Sequence, residues 1–121
     1  FGTKLEKRFS KNEILRMTVM VQGQLKRVID AYVTKNKDKA LEVRNADAAI
    51  DQHYQMIYNQ IIEDIKSKPN KIKTLANTKL LFTIKTIERA GDHITNIAEE
   101  IFYTVTGEIL TTPRPKGESE Q

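Results

Sequence analysis

The 121-residue sequence holds no cysteine and no tryptophan. Without cysteine there is no disulfide framework, no thiolate metal site and no cysteine nucleophile. That absence fits a reducing compartment without establishing one. Proline occurs three times and glycine five, so regular structure has few places where it must break. The glycines are scattered, and G-x-G-x-x-G, G-x-x-x-x-G-K-[ST] and G-x-S-x-G are all missing. With them go a phosphate-cradling loop and a nucleophile elbow. No apolar run approaches the roughly 18–20 residues that span a bilayer. The first residues, FGTKLEKRFSKNE, lack the hydrophobic stretch of a signal peptide. Charge of one sign is also in short supply: 20 basic against 16 acidic side chains leave +4. That permits an anionic partner but does not argue for nucleic acid. The lysines gather at two separate places, Lys35, Lys37 and Lys39, and Lys66, Lys68, Lys71 and Lys73, and form no continuous stripe.

What the sequence does have is helical periodicity, with 39% hydrophobic residues set at three- and four-residue steps. Ser10 and Glu13 form an S-x-x-E capping box that predicts a first helix over 11–35. Its apolar stripe is Ile14, Met17, Val21, Leu25, Val28 and Tyr32. Asn36–Lys37–Asp38 predicts a turn, with Asp38 as N-cap of a second helix running to Ser67. The stripe there is Val43, Ile50, Tyr54, Ile57, Ile61 and Ile65, ended by Pro69. A third helix is predicted from Lys71 to Thr106, with Gly107 as C-cap and a stripe through Leu80, Ile84, Ile87, Gly91, Ile94, Ala98, Ile101 and Val105. Short connections imply antiparallel neighbours. The expected fold is all-α, an up-down-up three-helix bundle over 10–110, with an N-terminal extension over 1–9 and a disordered tail over 111–121. The start at Phe1, without methionine, is expected of an excerpt or a processed product.

Four carboxylates stand out. Asp47 and Asp51 are four apart on the second helix, and Glu88 and Asp92 four apart on the third. Counted from Pro69, the first pair lies about 18 and 22 residues before the turn and the second about 19 and 23 after it, so an antiparallel hairpin puts them at one level. Carboxylates that close repel unless protons, Lys/Arg or a metal ion intervene. Arg27, Lys26, Arg44 and Arg89 are available for salt bridges, and oxygen-rich clusters suit hard ions. Both solutions fit the spacing. Asn96 and Glu99 extend the polar edge as further ligands or supporting groups. His53 and His93 do not stand at the E-x-x-H spacing of di-iron bundles and are expected at the surface or at the edge of the apolar stripe.

The string TIERAGDHITNIAEEIFYTVTGE, Thr86 to Glu108, resembles the last helix of PhoU proteins, and NADAAID resembles their second helix. The paired acids fit the family's E/D-x-x-x-D form, and the likeness covers residues 10–110 in the same helix order. PhoU proteins are tandem repeats of such a bundle, so the resemblance implies one repeat, of the C-terminal kind. It implies metal ions (iron, Mg, Mn or Zn) held by Asp47, Asp51, Glu88 and Asp92, with Asn96 and Glu99 beside them. It further implies a cytoplasmic adaptor without catalysis of its own. Such an adaptor links a PhoR-like sensor histidine kinase to the PstB-like ATPase of a phosphate ABC transporter. It thereby restrains phosphate uptake and represses phosphate-starvation genes. Its contact with the membrane is through those partners, with no nucleic acid involved, and association with a second repeat or a second copy is expected. Two other classes stay open at this stage: a structural helical interaction module, and a phosphatase working through a carboxylate-bound metal.

Overall fold

A computed structural model describes residues 2–67 and 70–111, with side-chain surroundings from residue 11 onward. Its elements are α1 (Gly2–Thr34), α2 (Lys37–Ser67) and α3 (Lys71–Thr106). They pack as the expected all-α three-helix bundle, with α2 and α3 in the most extensive contact and α1 lying against both. Residues 112–121 of the expected disordered tail, and the terminating Pro69, lie outside the described residues.

The ends of the helices show which local signals won. α1 begins at Gly2 and runs through Ser10, so Ser10 is not an N-cap and the helix takes in the stretch expected as an extension. Glu13 is therefore mid-helix, and its carboxylate meets the His53 Nε2 on α2 at 2.9 Å. α1 ends where Lys35 takes a left-handed φ of 53°. Asn36 caps α2 in place of Asp38: its side-chain oxygen accepts the Lys39 N–H at 3.0 Å, and its carbonyl accepts from Ala40. Asp38 falls inside the first turn, where its charge faces the positive end of the helix dipole. Asn70 caps α3 by accepting from the N–H groups of Ile72 and Lys73. Gly107 closes that helix at φ 74°, its N–H donating to the Tyr103 carbonyl at 2.7 Å, as expected of a left-handed cap.

The buried core has two apolar clusters. One, toward the α1–α2 turn, holds Val28, Ala31, Ala40, Val43, Ile94, Ala98 and Ile101. The other, toward the α2–α3 turn, holds Met17, Ile50, Ile57, Ile61 and Ile84. Each such isoleucine contributes roughly 1.5–3 kcal/mol of transfer free energy by leaving water. The expected stripe of α1 needs correction, because Leu25 and Tyr32 are exposed. Successive four-residue steps drift about 40° each around a helix of 3.6 residues per turn. The face that stays on the core is Met17, Gln24, Val28 and Ala31, with Val21 partly buried beside it. Val105 is likewise exposed, in the last turn of α3.

At the junction of the two clusters the interior turns polar. Gln24 of α1, Arg44, Asp47 and Asp51 of α2, and Glu88 and Thr95 of α3 are all buried. Gln24 spans the helices: its amide donates to the Val43 carbonyl at 2.6 Å while its oxygen accepts from the Arg27 guanidinium at 2.8 and 3.1 Å. Buried amides need such partners, since an unmet one costs about 1–3 kcal/mol.

Candidate metal centre

The polar layer is centred on α2 and α3. Asp47 and Asp51, both 1% exposed, project from successive turns of α2 into the interface. Asp92, half-buried, comes from α3. One carboxylate oxygen of each can be chosen so that all three lie within 4.8 Å of one another. The level predicted by counting from the turn is the level at which these three meet.

The close approach depends on Gly91. It is buried, and a Cβ there would stand 3.2 Å from Asp47 Oδ1 and 3.7 Å from two carbons of Ile50. The missing side chain lets the α3 backbone come against the Asp47 carboxylate. The Thr95 hydroxyl turns back to the Gly91 carbonyl at 3.1 Å and satisfies itself inside the helix.

The other expected ligands are placed differently. Glu88, one turn before Asp92, is buried and accepts from the Lys85 ammonium at 2.9 Å. Glu99 pairs with the buried Arg44 at 2.9 Å. Asn96 is exposed, as is His93, while His53 is half-buried on its pair with Glu13. The structure therefore gathers Asp47, Asp51 and Asp92 and ties Glu88 and Glu99 to cations. Of the outcomes that the spacing left open, pairing with Lys/Arg is realised on Glu88 and Glu99.

Sequence reasoning missed two functional neighbours. Gly91 stands on the predicted apolar stripe, and the signal for its role is that a lone glycine deep in a long helix marks close backbone approach. The signal for Lys85 is its position three before Glu88, within helical reach. Its ammonium also lies 5.4 Å from the centre of the Tyr54 ring. The hydrogen bond to Glu88 is the main cause holding Lys85 above the ordinary lysine value of 10.5; burial opposes it, and the charges of Glu88, Tyr54 and Asp92 add to it. A raised lysine value supports the fold below 10.5 and ceases to as pH climbs through the folded-state value. With 54% of its side chain exposed the contribution is small. The stability gap between the native chain and Lys85→Met is therefore expected to be constant from about pH 7 to 9 and to shrink in alkali. Urea midpoints from neutral pH into alkali measure it, and a gap that widens in alkali would refute the assignment.

The donor set, all carboxylate oxygen with two members out of solvent, fits a hard cation such as Mg, Mn or iron. Zinc, which favours nitrogen and sulfur donors, suits it less. Asp47, Asp51 and Asp92 would hold the ion.

Fold and site together define a class: a three-helix bundle carrying a carboxylate cluster between two antiparallel helices. Residues 14–101 match the PhoU domain model, and the chain belongs to the PhoU domain family. It is 46% identical over 103 residues to a phosphate-specific transport system accessory protein PhoU homolog of Caulobacter vibrioides, a match covering 85% of this chain and 44% of that protein. It is 41% identical over 93 residues to the homolog so named in Rhizobium meliloti, covering 77% and 38%. With that of Clostridium acetobutylicum the identity is 38% over 95 residues, covering 78% and 42%. The chain thus spans less than half the length of the curated relatives it matches. No solved structure matches it significantly. Among the described residues no helix is long and apolar enough to cross a membrane.

Proposed function

We propose that the chain is a phosphate-transport accessory module of the PhoU type: a cytoplasmic, metal-binding adaptor that acts by contact and not by catalysis. Its partners are a PhoR-like sensor histidine kinase and the PstB-like ATPase of a phosphate ABC transporter. Engaging them restrains phosphate uptake and represses phosphate-starvation genes. The observation that supports this best is the meeting of Asp47, Asp51 and Asp92 inside the segment that matches the PhoU domain. A bound cation would neutralise that cluster and tie α2 to α3. The metal's contribution on this reading is electrostatic, a charge that sets how firmly the two helices are held.

Elemental analysis of the purified chain after equilibration with Mn2+ tests the site. The native chain is expected to retain the ion and Asp51→Asn/Asp92→Asn to lose it. Ion at 100 times its Kd should raise native stability by about 2.7 kcal/mol, a gain the double variant lacks. Binding of the chain to the kinase's cytoplasmic domain and to the ATPase, with and without Mn2+, tests the adaptor role. Equal metal content in both proteins removes the site; absence of both partner contacts removes the adaptor.

A further inference from the structure

The acids of the polar layer meet different fates, and the division is one of charge. Glu99 and the buried Arg44 form one neutral pair at 2.9 Å. Glu88 and Lys85 form another, also at 2.9 Å. Asp47, Asp51 and Asp92 are the three carboxylates that converge. Lys85 is a cation at their edge. It stands on α3 three residues before Glu88 and seven before Asp92, so the three share one helix face. Its ammonium lies 5.4 Å from the ring centre of Tyr54, which follows Asp51 by three on α2. The carboxylates of Glu88 and Asp92 both act on its charge. Lys85 thus touches both helices of the centre while its side chain stays half exposed.

A fourth carboxylate at that level would make a different site. Three carboxylates balance one divalent ion with a single negative charge to spare. Four balance two, the count that suits a two-metal centre. Glu88 is buried, so its charge cannot be left to water and needs a cation of some kind. Lys85 supplies that cation from the same helix, at the high effective concentration of a tethered group. A second divalent ion would have to displace the ammonium from Glu88, and beside a first ion it would also meet like charge. On the reading that the three aspartates hold a cation, we propose that Lys85 occupies the place of a second ion and so limits this centre to one.

Mn2+ alone is the probe. Elemental analysis after gel filtration counts the ions per chain, and electron paramagnetic resonance reads whether bound ions are coupled as a pair. The native chain and Lys85→Arg are expected to carry one ion with an uncoupled signal. Lys85→Met and Lys85→Gln leave the buried Glu88 without its ammonium and are expected to carry two, with the coupled signal of neighbouring ions. Lys85→Met/Glu88→Gln removes the charge that the second ion needs and is expected to return to one. Circular dichroism checks that each variant keeps its helices; methionine and glutamine are both good helix formers at this half-exposed position. Two ions on the native chain, or one on the native chain and on both neutral variants alike, overturns the proposal and leaves the metal centre standing. Two ions on the double variant overturns it as well, because Glu88 is then not the group that Lys85 guards. No ion on any of these proteins overturns the metal centre itself, and this inference with it.

Discussion

Ile57→Ala is expected to destabilise the bundle by about 2–5 kcal/mol, the cost of removing three buried carbons and leaving a cavity. Ile57 is fully buried on α2, in the cluster that also holds Met17 of α1 and Ile84 of α3. One side chain thus joins all three helices. Its neighbours on α2, Ile50 and Ile61, are fixed by the same helix and cannot follow the space left behind. Domains of this size hold only about 5–15 kcal/mol in total, so the loss is a large fraction of the whole. At roughly 4 °C per kcal/mol it lowers the melting temperature by about 8–20 °C. Ile57→Val removes one carbon and is expected to cost about 0.5–1.5 kcal/mol. Thermal and urea unfolding of the pair give the test. An Ile57→Ala change within about 0.5 kcal/mol of native, the size of a surface substitution, would place Ile57 outside the core.

The same packing explains which parts of the molecule were legible beforehand. Three helices follow from long periodic stripes separated by few breakers, and no tertiary contact is needed to see them. Ser10 misled because a capping box is worth only about a kcal/mol, and the helix continues to Gly2 regardless. Leu25 and Tyr32 misled for another reason. α1 carries two apolar rows, and a single sequence cannot say which of them turns inward. The level of the acids was readable from Pro69, since equal distance from a turn is a backbone property. Side-chain direction is not. Glu88 shares the level of Asp51 but reaches back to Lys85, and Glu99 is drawn to Arg44. Such choices depend on which cation stands within reach, and that is settled only when the helices pack.

Gly91→Leu is the substitution expected to act on fold and site together. Two opposed terms meet at this position. Glycine within a helix costs about 0.8–1 kcal/mol relative to alanine, so intrinsic propensity favours any replacement. Against that, the first carbon added would already stand 3.2 Å from Asp47 Oδ1. For Gly91→Ala the carboxylate has to give by a few tenths of an ångström, and the two terms nearly offset. Leucine adds three more carbons at the α2–α3 interface, where Ile50 also stands 3.7 Å from the Cβ position. Overpacking of that kind costs about 1–3 kcal/mol. Because α2 and α3 share the most extensive contact in the bundle, the strain is relieved by displacing Asp47 from Asp51 and Asp92. Gly91→Leu is therefore expected to remain helical, to melt below the native chain, and to lose the stability gained from added Mn2+. Gly91→Ala should keep that gain at least in part. If Gly91→Leu melts with the native chain and responds to Mn2+ as strongly, the close approach at Gly91 is not what assembles the three carboxylates.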